Sequence, residues 1–95
     1  MNKQLIPKHI TILGKKIRIL VTNLDGNLGE FHLEELVIKL EESMTDKQAF
    51  SCLLHECCHA ILRIGGAAYG MKSKKEEAIV RLLESGLEDI VKFKF

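Results

Sequence analysis

The chain has 95 residues, of which 46% are hydrophobic and 28% charged, and its net charge at pH 7 is +1. These values predict one small globular domain over residues 1–95 and argue against intrinsic disorder. There is no run of about 18 apolar residues, and basic residues alternate with acidic ones, so we expect neither a membrane span nor a nucleic-acid surface. The N-terminus lacks the apolar segment of a signal peptide, which makes a cytoplasmic location the default expectation.

The first predicted elements are two strands joined by a tight turn. Residues 9–13 and 17–21 alternate between apolar and polar side chains and are rich in β-branched residues. Gly14-Lys15 lies between them and is a turn signal, so the two segments predict a β-hairpin.

Two further strands are predicted after a polar turn that contains Asp25-Gly26. Residues 29–33 can form a third strand. Residues 36–40 contain the β-branched pair Val37-Ile38 and are interpreted as a fourth, although the Leu- and Glu-rich stretch 33–42 is also compatible with a short helix.

The second half of the chain predicts two helices. Thr45-x-x-Gln48 is a capping-box pattern that starts the first helix, and Gly65-Gly66 ends it. The second helix is predicted from about Ser73 to Val91. Strands followed by helices predict an α+β fold: a small antiparallel or mixed sheet of three to four strands and two packed helices, both expected on one face of the sheet.

The first helix carries His55-Glu56-Cys57-Cys58-His59, an H-E-x-x-H motif. Residues i and i+4 share one face of a helix, so the two imidazoles can bind one metal ion while Glu56 reaches a metal-bound water. We therefore expect His55 and His59 as metal ligands, Zn²⁺ as the default ion, and Glu56 as a general base. The alternative is a buried histidine pair that is satisfied by backbone carbonyls.

A catalytic zinc site needs a third protein ligand, and the second helix begins with Glu76-Glu77, 17 and 18 residues after His59. At about 100° per residue, the apolar face of that helix centres near Glu76, which favours Glu76 as the ligand. However, Ser73-x-x-Glu76 is also a capping-box pattern, in which Glu76 folds back on the backbone and Glu77 is the ligand. Both assignments stay open, with Glu76 preferred.

Other reactive side chains receive simpler interpretations. Tyr69, in a Gly-rich loop, is a candidate to stabilise an oxyanion, although packing is the commoner role of such a residue. Cys52 lies one turn before His55, where core packing is favoured over metal binding. All three cysteines fall on one helix, which indicates reduced thiols. His9 and His32 carry no spacing signal and are treated as ordinary.

The motif with a helical Glu some 17 residues later resembles the gluzincin group of zinc metallopeptidases. The small size, the hairpin ahead of the motif and residues 76–87 resemble the compact phage-encoded members of that group. The resemblance spans about residues 8–92. It implies zinc ligation by His55, His59 and Glu76 or Glu77, with Glu56 as the catalytic base. It also implies that an edge strand ahead of the helix holds an extended peptide, and by chain order residues 36–40 match that strand.

The expected function is therefore that of a zinc metallopeptidase, in which a Glu56-activated, zinc-bound water hydrolyses peptide bonds of a peptide or protein substrate. Larger gluzincins close the cleft with a second subdomain, whereas only residues 92–95 follow the second helix here. A non-catalytic, metal-stabilised protein-interaction module of phage origin is the alternative. A small helical interaction protein without metal is the third interpretation.

Overall fold

The computed structural model describes residues 6–91, in which a four-stranded mixed sheet precedes two helices. The elements are β1 (His9–Ile12), β2 (Lys15–Thr22), β3 (Gly29–His32), β4 (Val37–Glu41), α1 (Asp46–Ile64) and α2 (Ser73–Ile90). This confirms the predicted α+β class and the order of its elements. The predicted helix end at Val91 is one residue beyond the last residue of α2.

β1 and β2 form the predicted hairpin, with His9 opposite Arg18 and Ile12 opposite Lys15. Leu13 and Gly14 connect the two strands, and both have a positive φ, 49° and 81°. Two positive φ values are what a two-residue type I′ turn requires, and this turn matches the twist of the strands it joins. The glycine supplies one of them without steric cost.

The strand order is β1-β2-β4-β3, which places β4 inside the sheet. β4 runs parallel to β2 and antiparallel to β3. The prediction that residues 36–40 form an edge strand is therefore wrong, and so is the helical alternative for 33–42. Val37, Ile38 and Leu40 are fully buried, and apolar side chains on both faces are typical of an interior strand. Among the described strands, β1 and β3 form the edges of the sheet, and β3 is the edge strand that lies closer to α1.

α1 covers one face of the sheet. Its core-facing side chains Ala49, Leu53 and Ala60 belong to the same buried apolar cluster as Phe31 of β3 and Ile38 of β4. Burial of these side chains is the main source of stability in a domain this small. It also fixes the rotation of α1 about its axis, and with it the direction of every other side chain on that helix.

Both ends of α1 follow the sequence prediction. The backbone N–H of Gln48 donates to Thr45 Oγ1 at 3.2 Å, and the N–H of Thr45 donates to Gln48 Oε1 at 3.0 Å, which completes the capping box. Gly65 occupies the C-cap, where its N–H donates to the carbonyl of Ile61. Such caps satisfy backbone groups that have no partner within the helix.

α2 packs mainly against α1, and its contacts with the sheet are marginal. The expectation that both helices cover the sheet is therefore wrong for α2. The helix begins at Ser73, and Lys72 at the N-cap makes no side-chain capping bond. The capping box suggested by Ser73-x-x-Glu76 does not form, which leaves the Glu76 carboxylate for contacts with α1. Within residues 6–91, neither helix is long and apolar enough to cross a membrane.

Candidate metal centre

The H-E-x-x-H motif lies in the middle of α1, and its two imidazoles lie one turn apart in an edge-to-face arrangement. The ring centroids of His55 and His59 are 5.0 Å from each other. Both rings are mostly buried, with side-chain exposures of 20% and 12%. This is the arrangement that the i, i+4 spacing predicts.

Glu77 of α2 faces the Nε2 atoms of both histidines. One carboxylate oxygen lies 3.0 Å from His55 Nε2 and the other lies 2.9 Å from His59 Nε2. One ligand atom from each of these three residues falls within 4.8 Å of the other two, so the group could hold a metal ion. Two imidazoles and a carboxylate are also the protein ligands of many catalytic zinc sites. The residues present therefore fit the ion that the sequence predicts.

Carboxylates also contact the opposite nitrogen of each ring. His55 Nδ1 lies 2.6 Å from Glu84 Oε1, and His59 Nδ1 contacts Glu76 Oε2. When each Nδ1 donates its proton to a carboxylate, the neutral ring directs the lone pair of Nε2 toward Glu77. Histidines that bind metals are commonly oriented and made more basic in this way. The contacts thus prepare both rings for a cation beside Glu77.

Glu76, the preferred third ligand, lies on the other side of the His59 ring. It is 7% exposed, and Arg63 Nε donates to its Oε2 at 2.9 Å. Burial raises the pKa of Glu76, but the hydrogen bond from His59 and the Arg63 guanidinium outweigh it, so this pKa lies below its usual value. The structure therefore reverses the order of preference. Glu77 belongs to the group that could hold an ion, whereas Glu76 contacts Nδ1 of His59.

Glu56 is the single carboxylate of the motif and is 7% exposed. Desolvation raises its pKa, and the nearby His55 and His59 offset this only in part. The edge strand comes close to it, because a Cβ added to Gly29 would lie 3.2 Å from Glu56 Oε2. A carboxylate with a raised pKa next to a metal centre is suited to accept a proton near neutral pH.

A cleft of about 540 Å³ adjoins the site. The segment from Gly26 to Gly29 forms one wall. α1 contributes His55 and Glu56, and α2 contributes the other wall, including Glu77 and Arg81. The cleft therefore connects the edge strand, the motif and the third carboxylate. A ligand of several heavy atoms could reach all of them at once.

The other residues that the sequence suggested for the site lie outside the group of His55, His59 and Glu77. Tyr69 is 96% exposed and does not line the cleft, so packing does not position its hydroxyl for an oxyanion. Cys52 lines the cleft, but burial raises its pKa to about 11 and that of Cys57 to about 12. These free thiols stay protonated at neutral pH and act as small packing groups. His32 pairs with Glu30, and His9 is exposed.

Sequence reasoning missed two residues of the site, Glu84 and Gly29. Glu84 follows Glu77 by seven residues, which is about two helical turns and hence the same face, so its spacing carried a signal. The role of Gly29 depends on which strand lies beside α1, and no local pattern contains that information.

Comparisons with protein-family models, curated proteins and solved structures found no match.

Proposed function

We propose that the protein is a zinc-dependent peptidase in which His55, His59 and Glu77 hold the ion and Glu56 is the general base. The observation that carries this proposal is the convergence of two Nε2 atoms and the Glu77 carboxylate, with a second carboxylate behind each ring. Zinc is the default for this ligand set, although Co²⁺, Mn²⁺ or Ni²⁺ would also bind to it.

A bound zinc ion would lower the pKa of a water from 15.7 toward about 7 and polarise a substrate carbonyl. The protein residues supply the proton transfers. Glu56 takes the proton of the attacking water and delivers it to the leaving amine. Glu76 and Glu84 keep the two imidazoles fixed throughout. The burial of Glu56 supports this role, since a desolvated carboxylate holds its proton more readily than an exposed one.

The edge strand supports a peptide as substrate. Among the described strands, β3 pairs only with β4, so its other side offers backbone N–H and C=O groups. An extended peptide can add to such an edge. Gly29, the first residue of β3, approaches both Glu56 and Cys52 of α1. A peptide bond paired with this strand would enter the cleft close to the proposed general base.

A second candidate function is a metal-stabilised interaction module without catalysis. The observation that favours it is the small core contribution of α2, in which only Glu76 and Val80 are buried. An ion shared between α1 and α2 would fasten that helix whether or not any bond were cut. The two candidates differ in what they require of Glu56, because stability alone does not need its negative charge.

The deciding experiment compares the wild type with Glu56→Gln and His59→Ala. We would measure zinc content, melting temperature, and cleavage of a quenched-fluorescence peptide library by zinc-loaded protein. We expect Glu56→Gln to keep one zinc per chain and lose activity by at least about 100-fold, and His59→Ala to lose both. Full activity in Glu56→Gln would refute the general base. If the wild type cuts nothing while zinc raises its melting temperature, the module is supported instead.

A further inference from the structure

An apolar stripe on α2 is left uncovered by the part of the chain that the structure describes. Leu82 is 74% exposed, Leu83 is 41% exposed and Ile90 is 78% exposed. At roughly 100° per residue, these three side chains share one face of the helix with Ile79 and Gly86. Scattered exposed apolar residues are normal, but a contiguous stripe on one helix marks an interaction surface.

Gly86 in this stripe has no packing role within the described chain. Glycine is unfavourable inside a helix, yet a Cβ added at Gly86 would meet nothing within 4 Å. Ala78, two turns earlier, is also exposed. Small residues on an exposed apolar face reduce the distance at which a second helix can pack. The stripe therefore has the shape of a helix-packing surface.

The charges at the two ends of α2 indicate which helix would pack there. Lys72, Lys74 and Lys75 surround its start, and Asp89 lies near its end, where the last turn contains no basic residue. The neighbouring Glu88 accepts a hydrogen bond from Ser51 of α1, on the side of α2 away from the stripe. The lysines and Asp89 oppose the helix macrodipole, which favours acids at the start and bases at the end. An antiparallel copy of the same helix would place the basic start of each beside the acidic end of the other.

We propose that the stripe is a homodimer interface in which the α2 helices of two copies pack antiparallel. Aligning Lys75 with Asp89 of the partner subunit puts Leu82 on the two-fold axis, because 82 is the midpoint of 75 and 89. The same register places Gly86 beside Ala78 of the partner subunit. Such an interface is isologous and closes as a dimer without further growth.

The dimer leaves the metal centre accessible. Glu77 and Glu84 lie roughly 160° and 140° around the helix from Ile79, at 100° per residue. They face α1 and the cleft, whereas the stripe faces away from both. Association and metal binding can therefore be tested independently, and the dimer does not depend on the proposed peptidase activity.

Sedimentation velocity of the full chain from low to high micromolar concentration, with and without zinc, tests the interface. We expect the mass to rise toward twice that of one chain. Leu82→Glu should raise the dissociation constant of the dimer by more than about tenfold. Leu33→Glu is the matched control, because Leu33 is an exposed leucine in the turn after β3, outside the stripe. It should leave the constant unchanged.

A charge exchange tests the antiparallel register. Lys75→Glu and Asp89→Lys should each weaken the dimer, and the double variant should restore it. Each single substitution introduces a charge that the helix macrodipole favours at that end of α2, so a folding defect would not explain a weaker dimer. A monomer at every concentration, an undiminished Leu82→Glu dimer or a double variant without recovery would overturn the proposal. Retention of a monomeric wild type on phosphatidylserine vesicles would also overturn it, by assigning the stripe to a membrane surface.

Discussion

The carboxylate of Glu84 lies 2.6 Å from Nδ1 of His55, on the opposite side of the imidazole from Glu77. His59 is held between Glu76 and Glu77 in the same manner. α2 thus surrounds two histidines of α1 with three carboxylates, and buried Glu56 adds a fourth. Arg63 is bonded to Glu76 on the side away from the Nε2 atoms. Arg81 Nε also lies 3.3 Å from Glu77 Oε1, although its side chain is largely exposed. Two arginines therefore face four carboxylates, and a cation beside Glu77 would balance the negative charge that remains.

Glu84→Gln should weaken zinc binding by about 10–100-fold, the usual effect of losing a residue that orients a metal ligand. The amide can still accept a hydrogen bond, but it no longer raises the basicity of His55. Competition titration with a chromophoric chelator measures the change. Glu35→Gln, at an exposed position in the turn before β4, is the control and should bind zinc like the wild type. Equal affinities for Glu84→Gln and Glu35→Gln would contradict the orienting role.

Glu77→Gln and Glu76→Gln should separate a ligand from a residue that orients one. Glu77→Gln removes a charged ligand atom, so its loss of affinity should exceed the roughly 10–100-fold expected for Glu76→Gln. Zinc content after dialysis against a weak chelator gives the first comparison, and titration gives the size of each effect. If Glu76→Gln lost the ion while Glu77→Gln kept it, the roles of the two carboxylates would be the reverse of those proposed.

The sequence predicted local features well because short-range rules determine them. The hairpin turn, the Thr45 capping box and the i, i+4 histidine pair each depend on residues within one or two turns of the chain. The rotation of α2 was predicted only in part. Glu76 does face α1, but Leu83, Gly86 and Ile90, which were expected on the same face, are exposed, and Glu77 also faces α1. The helical phase of Glu76 and Glu77 does not indicate which nitrogen of His59 each carboxylate contacts. That depends on the relative placement of the two helices, which is set by packing.

The arrangement of the strands was not predictable for a related reason. β2 pairs in parallel with β4, and β3 lies outside that pair although it precedes β4 in the chain. Alternation identifies a strand but says nothing about its neighbours. The consecutive apolar residues Leu36-Val37-Ile38 were the available clue, because such runs are typical of interior strands. From that clue, β3 would have been predicted as the edge strand, and Gly29 would have become a candidate residue of the site.

Glu56→Gln should stabilise the metal-free protein at pH 8 and have little effect at pH 4. Burial raises the pKa of Glu56 above its ordinary value of 4.5. The stabilising contribution of such an acid is complete below its unfolded-state pKa and is lost as the pH rises through the folded-state pKa. Glutamine avoids that loss, and we expect a gain of about 1 kcal/mol in the free energy of unfolding at pH 8.

Urea denaturation at both pH values, in the presence of a chelator, measures this gain. Glu42→Gln is the control, because Glu42 is exposed. Equal destabilisation by Glu56→Gln at the two pH values would show that the carboxylate is not held at a cost in the folded state. If the gain is observed, Glu56 is a residue that lowers the stability of the folded protein, as catalytic groups often do.

Gly29→Ala should disturb the contact between the edge strand and α1. The new Cβ would lie 2.7 Å from Cys52 Sγ and 3.2 Å from Glu56 Oε2, and we expect a loss of about 1–3 kcal/mol in the free energy of unfolding. Cys52→Ala removes the sulfur, so the double variant should recover part of this loss. Denaturation of the two single variants and the double variant gives the coupling energy between the positions, which for contacting residues is about 0.5–3 kcal/mol.

Gly86→Ala, measured at a concentration where the chain is monomeric, is the matched control for this change. A Cβ there meets nothing within 4 Å, so alanine should stabilise α2 by about 0.5–1 kcal/mol instead of destabilising it. Additive effects of Gly29→Ala and Cys52→Ala would mean that β3 and α1 are not in tight contact at these two residues. The contact of β3 with α1 at Cys52 would then be looser than the structure shows, and the proposal that β3 brings a peptide to the general base would lose one of its supports.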